Sequence, residues 1–237
     1  EDLINKGDYI IGSKVNEFEK KFSNFIQSKY SVGVGNGTDA LFLSLKYLGI
    51  GKGDEVITAP NSYLSSASSI ALTGAKPVFV DINDDLNINP DLILGSITKK
   101  TKAIVPVHLT GKPAKINQIL KIAKANNIKI IEDCAQAVGA KFQRSHIGNF
   151  GISGCFSLHP LKNLNALGDG GIISTNNKKM YHWLLQARNH GHLNRNDCSF
   201  WSHNMRLDTL QASFLINKLK NLKKINKRRR EIANIYK

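Results

Sequence analysis

Three short stretches carry residue types that could do chemistry. The first is Gly35-Asn36-Gly37-Thr38-Asp39-Ala40, set between an apolar run and an amphipathic one. Glycine lets an anion approach the backbone, and free amides at a helix start favour negative charge, so the stretch suits a phosphate. It would serve equally as an ordinary glycine turn with Thr38 capping a helix. Position 40 is alanine, so the third glycine of a dinucleotide fingerprint is missing, and no Gly-Lys-Ser/Thr marks a P-loop. The second stretch is IIEDCAQ, an apolar run that ends on Glu132 and Asp133 and continues to Gln136. A carboxylate there could hold a positively charged ring nitrogen, cap a helix or join an ion pair. The third is FSLHPLKNL, in which Lys162 sits among apolar residues while most other lysines lie in polar clusters. A desolvated lysine has a lowered pKa and forms Schiff bases. A surface lysine laying its stem on apolar neighbours has the same local sequence.

Taken together, the three are an anion cradle, a carboxylate for a pyridinium nitrogen and a Schiff-base lysine. Those are the parts that hold pyridoxal 5'-phosphate.

The elements that must position them alternate along the chain. Residues 15–26 have apolar positions at helical spacing, residues 30–34 are a short β-like run, and residues 39–47 are helical. Strands are expected at 55–58, 76–80, 103–107 and 128–132, with helices at 62–72, 90–97 (Asn89 as cap) and 116–125. This is repeated β–α–β with continuous apolar strands, as a parallel sheet covered on both faces requires. Ligands in such sheets bind at the carboxyl ends of strands. That rule singles out residues 35–39, 59–63, Asp81, His108 and residues 133–136. Beyond Gly139 the segments become short and glycine-rich, then helical at 178–188 and strongly so at 207–236. There, Leu207, Leu210, Phe214, Leu215, Leu219 and Leu222 form an apolar stripe.

The 237 residues are 41% hydrophobic and 22% charged, which is ordinary globular usage. No apolar run approaches a membrane span. The acidic, mixed start does not read as a signal peptide, and three cysteines without CxxC spacing read as reduced cytoplasmic thiols with no metal site. The net charge of +15 is the outlying number. Residues 98–129 hold eight lysines and no acid, residues 206–237 add a net +8, and the rest of the chain is near neutral. Both blocks read as solvated helix faces, so neither a nucleic acid nor a membrane partner is expected.

With those three stretches, the segments GDYIIGSKVNEFEKKF, GVGNGTDAL, GDEVITAP, AKPVFVDI, VPVHLTGKPA, IEDCAQAVGA, GCFSLHPLKNLNALGDGGIIST, RNHG and HNMRLDTLQAS resemble the DegT/DnrJ/EryC1/StrS sugar aminotransferases, of the aspartate-aminotransferase type. The resemblance runs nearly end to end. It implies a three-layer α/β/α fold with a mostly parallel central sheet. Residues 1–210 would be the cofactor-binding large domain, and residues 211–237 a long helix leading to a small C-terminal domain absent from this chain. Motif for motif, Lys162 would be the Schiff-base lysine, Asp133 the partner of the pyridinium nitrogen, and Gln136 a neighbour of the phenolic oxygen. Gly37, Thr38 and Ser157 would bind the phosphate, with Asp39 adjoining by its backbone. Tyr63 would stack on the ring, and Asn204 would reach the phosphate of the neighbouring subunit, which implies a homodimer with shared active sites.

The activity so implied moves an amino group from an amino acid, glutamate in the usual family case, to a keto carbon of a nucleotide-linked deoxysugar. It would serve surface-polysaccharide or other amino-sugar biosynthesis in the cytoplasm. Rival readings are a pyridoxal phosphate-dependent sugar dehydratase, in which histidine replaces the lysine, and a catalytically silent regulator of the same fold. Lys162 favours transamination, and His159 is not that replacement. A nicotinamide-dependent oxidoreductase leaves Lys162 unexplained.

Overall fold

The computed structural model of the chain describes residues 2–236. Helices α1 (Asp2–Lys6) and α2 (Ser13–Ile26) lead to β1 (Tyr30–Val34) and α3 (Gly37–Tyr47). Then come β2 (Glu55–Thr58), α4 (Ser65–Leu72), β3 (Lys76–Phe79), α5 (Pro90–Ile93), β4 (Thr101–Val105), α6 (Ile116–Ala125) and β5 (Lys129–Asp133). A small hairpin of β6 (Lys141–Phe142) and β7 (Ser145–His146) precedes β8 (Ser153–Ser157) and β9 (Gly171–Thr175). Helices α7 (Lys178–Ala187) and α8 (Thr209–Ile235) follow.

Seven strands form one sheet in the order β1-β9-β8-β5-β4-β2-β3. The pairs β2/β3, β2/β4, β4/β5 and β5/β8 are parallel. Strand β9 is antiparallel to both its neighbours, so it alone runs against the rest. The sheet is therefore mostly parallel.

Successive strand residues face opposite sides, and the core divides accordingly. Val32, Val34, Ala103, Val105, Ile131, Cys155 and Ile173 pack with α3, α4 and α7 through Leu41, Leu45, Ile70, Met180 and Leu184. On the other face Phe156 and Ile172 meet α2 and α8 through Phe18, Phe22, Leu215 and Leu222. On that same face Ile57, Ile104 and Ile130 meet α6 through Ile116 and Ile119. Helices thus cover both faces in three layers.

Several details depart from the sequence reading. Lys76 and Phe79 of β3 are exposed, because β3 is an edge strand rather than one covered on both faces. Helix α4 begins at Ser65, after a turn in which the Ser66 amide donates to the Tyr63 carbonyl. The cap of α3 is Asn36, not Thr38. Helix α8 begins at Thr209, whose hydroxyl accepts from the Gly12 amide. With Thr209 facing inward, Leu210 turns outward and is exposed, and Ala212 and Ile216 complete the buried stripe. The eight lysines of residues 98–129 are all exposed. Among the described residues no helix is long and apolar enough to cross a membrane.

Candidate active site

The carboxyl ends of β1, β2, β5 and β8 open onto one region on the α3/α4 side of the sheet. At the end of β1 the chain turns into α3, and the Asn36 side chain accepts from the Asp39 amide at 2.8 Å. The amides of Gly37 and Thr38, the first two of the helix, have no partner within it. A Cβ at Gly37 would stand 2.8 Å from the Ser157 Cβ, so the end of β8 lies directly against this turn. The hydroxyls of Thr38 and Ser65 share a hydrogen bond of 2.7 Å, which ties the start of α3 to the start of α4. Gly37, Thr38 and Ser157 are thus brought together with two free amides and two hydroxyls, a set suited to phosphate oxygens. Beside them, burial pushes the Asp39 carboxyl up to about 6, against the Asn36 hydrogen bond, and Asp169 adds to the rise.

Asp133 ends β5 on this same face and is almost fully buried. Its Oδ2 accepts from the Ser66 hydroxyl at 2.6 Å and its Oδ1 from the Ala135 amide at 3.1 Å. Burial raises its pKa, opposed first by Ser66 and then by Ala135, His108 and Lys162. Lys162 sits half-buried in the turn that joins β8 to β9, where its amide donates to the His159 carbonyl at 2.9 Å. That turn is closed by Leu158 N to Gly170 O at 2.8 Å and Ala166 N to Leu158 O at 2.7 Å.

The other expected residues fall around this centre. Tyr63 is 77% exposed at the entry to α4, next to the two serines that reach Thr38 and Asp133. Gln136 follows Asp133 and accepts from the Thr110 amide at 2.6 Å. Asn204 is exposed, and its backbone pairs with Asn189 beside the end of β1. Nothing on this one chain brings Asn204 to Lys162.

Sequence reasoning missed Ser65 and Ser66, which connect the cradle to Asp133. The strand-end rule reached Tyr63 in APNSYLSSAS and stopped two residues short. It also named His108 without a role. That side chain is fully buried: its Nδ1 accepts from the Ala114 amide at 3.0 Å, so its Nε2 carries the proton and donates to Glu132 at 3.1 Å. His108, Glu132 and Cys134 offer ligand atoms within 4.8 Å of one another. Both imidazole nitrogens are engaged within the chain, and burial drives the Cys134 thiol pKa well up.

A model of the DegT/DnrJ/EryC1/StrS aminotransferase family matches residues 1–237. A Geobacillus stearothermophilus protein named pleiotropic regulatory protein is 39% identical over 100% of this chain and 64% of its own length. The dTDP-3-amino-3,6-dideoxy-alpha-D-galactopyranose transaminase of Aneurinibacillus thermoaerophilus is 46% identical over 99% of this chain and 65% of its own. Among solved structures, S. venezuelae DesV in complex with a ketimine intermediate superposes with a TM-score of 0.96 at 37% identity, covering 99% of this chain and 64% of that one. The chain spans just under two thirds of the length of these relatives.

Proposed function

From the premise that the chain belongs to the DegT/DnrJ/EryC1/StrS aminotransferase family, we propose that its protein is a pyridoxal phosphate-dependent sugar aminotransferase. It takes an amino group from an amino acid, glutamate, and places it on a keto carbon of a nucleotide-linked deoxysugar. The observation that carries this reading is the convergence of Asp133 and the Gly37–Thr38–Ser157 cradle on one face of the sheet, with Lys162 in the turn that leaves β8 just beyond Ser157. The names of the relatives point to the same substrate class: one acts as a dTDP-amino-sugar transaminase.

The residues fit the cofactor. Two free amides and the hydroxyls of Thr38 and Ser157 match a phosphate. A buried carboxylate with acceptor capacity to spare matches a protonated ring nitrogen. When bound, pyridoxal phosphate supplies an aldehyde for an amine and a ring that draws electrons from the adjacent carbon. Asp133 holds the proton on the ring nitrogen, and Lys162 offers its amine to the aldehyde. With the cofactor bound, the Lys162 amine would also serve as the base that takes up and gives back a proton beside the substrate Cα. Tyr63 would cover the ring and Gln136 would lie toward its phenolic oxygen.

A homodimer completes the site. Leu161, Leu167, Tyr63 and Trp201 are each at least 65% exposed, apolar side chains of the kind a subunit interface covers. Asn204 then meets the neighbouring subunit's phosphate. Helix α8 packs into the cofactor domain through Leu215, Leu219 and Leu222, so that domain extends past residue 210; the helix's later turns lead toward a smaller domain, and the protein works in the cytoplasm.

A regulatory reading has one observation in its favour, the name of the Geobacillus stearothermophilus relative; the retained Lys162 and Asp133 favour catalysis. The test uses the full-length protein. Incubation with pyridoxal phosphate and reduction with borohydride must leave a pyridoxyl group on Lys162, found by peptide mass. Glutamate must then drive amination of dTDP- or UDP-linked 3-keto or 4-keto sugars. A protein that takes up no cofactor sinks the proposal.

A further inference from the structure

The lysine turn is weakly held where it matters. His159, Pro160 and Leu161, just before Lys162, are all exposed, and Leu161 is 84% so. Just after Lys162, Asn163 fastens the turn to the body of the protein. Its Nδ2 donates to the Val138 carbonyl at 2.7 Å and to the Asn226 Oδ1 at 3.0 Å. Asn226 lies on α8, and its own Nδ2 donates to the same Val138 carbonyl at 3.3 Å. Gly139 makes the approach possible, since a Cβ there would stand 2.9 Å from the Asn226 Nδ2. Three separate elements meet at this junction: the lysine turn, the turn that follows Asp133 and Gln136, and α8.

We infer that Asn226 is a positioning residue for Lys162, acting through Asn163. The inference rests on the reading of Lys162 as the cofactor's lysine. The geometry gives the reason. Two acceptors on different elements use both hydrogens of one amide group, which fixes the Asn163 side chain and with it the backbone next to Lys162. Asn226 also braces the segment that carries Asp133 and Gln136, so the amine and the carboxylate share one support. Helix α8 thereby reaches the site without touching it. Misplacement of a reacting group by about an ångström costs up to roughly 100-fold in rate, so a loosened turn has a measurable consequence.

The experiment compares Asn226→Ala and Asn226→Asp in the full-length protein with wild type. Alanine removes the acceptor yet favours helix, so α8 persists. Aspartate keeps the acceptor for Asn163 and gives up the longer donation to Val138, so it isolates the Asn163 contact. The readouts are the rate constant for capture of free pyridoxal phosphate by Lys162, followed as borohydride-reduced adduct, the kcat and KM for glutamate, and the melting temperature. Asn226→Ala should slow capture and lower kcat by about tenfold with KM within about twofold, and Asn226→Asp should restore both to within about threefold of wild type. Capture by Asn226→Ala at the wild-type rate overturns the inference, as does a slowed Asn226→Asp or a lowered melting temperature without a change in capture. If Asn226→Ala does not fold, the Asn226→Asp result decides alone. A wild-type protein that leaves no adduct on Lys162 defeats the functional reading instead, so the two failures are distinct.

Discussion

Replacing Ser66 by alanine tests whether the buried Asp133 carboxylate is held as the geometry implies. The Ser66 hydroxyl donates to Oδ2 at 2.6 Å, one of two donors to Asp133 from the chain. A hydrogen bond to a charged group contributes about 1.5–3 kcal/mol, so the substitution should cost roughly 2 kcal/mol while Asp133 is ionised and push its pKa further up. Asp133 already has a folded pKa above its model value of 3.8, chiefly because of burial. Its protonated form therefore favours the fold: the stability it contributes is fully present below that value and is lost as pH rises through the folded one. Ser66→Ala moves the folded value higher still, so the variant loses more on the way up. Urea unfolding across a pH series on the cofactor-free protein reads this directly. The gap between wild type and variant should reach roughly 2 kcal/mol once the folded Asp133 is ionised and close as pH falls through its raised folded value. A gap that stays constant with pH would refute the idea that the hydroxyl serves the charge.

Gly37→Ala places a methyl 2.8 Å from the Ser157 Cβ; titration with pyridoxal phosphate should show affinity weakened by tenfold or more, about 1.4 kcal/mol, and unchanged affinity would remove Gly37 from the cradle. Asp39 has a folded pKa raised by burial to about 6, so its ionisation costs stability as pH rises through that value. Asp39→Asn should therefore melt about 2–4 °C higher at about pH 8, corresponding to roughly 1 kcal/mol after solvent screening, and show no gain at about pH 4. Glu132→Gln turns one acceptor oxygen into a donor facing donors, and should cost about 3–5 kcal/mol in chemical denaturation; a loss under about 1 kcal/mol would mean the network is slack.

Much of the scaffold was legible because strand ends in a parallel sheet converge by geometry. Apolar runs located β1, β2, β4 and β5 to within two residues, and the rule that ligands gather at carboxyl ends led to Gly37 and Asp133. The reversal of β9 had a signal of its own. Parallel strands need a crossover of a dozen or more residues, usually a helix, and the span between β8 and β9 has no helical pattern. What was illegible was side-chain pairing across long separations. Ser66 reaches Asp133 across 67 positions, and Asn226 reaches Val138 across 88. A serine run or an asparagine on a basic helix gives no local sign of its partner. Leu210 failed for a related reason: the helical phase of α8 is set by Thr209 meeting Gly12, far away in the chain.

The two acids that end β5 show how one strand end separates support from chemistry. Glu132 and Asp133 are adjacent, so the pleat sends them to opposite faces. A carboxylate has about four lone-pair positions to offer. Those of Glu132 are taken: Oε1 accepts from the Phe150 and Gly151 amides at 2.7 and 2.8 Å, and Oε2 from the Gly148 amide at 2.9 Å and the His108 ring. Its charge is spent holding the residues 148–151 that lead into β8, the strand that presents Ser157. Among the described residues Asp133 has donors from Ser66 and Ala135 alone. The two buried acids thus differ in remaining capacity, and only the one with lone pairs to spare can bind a cationic ring. The distinction rests on donor counts and not on burial, because both side chains are nearly inaccessible. It follows that Glu132→Gln should act on folding and leave the pH dependence of cofactor binding intact, whereas a change at Ser66 must move both.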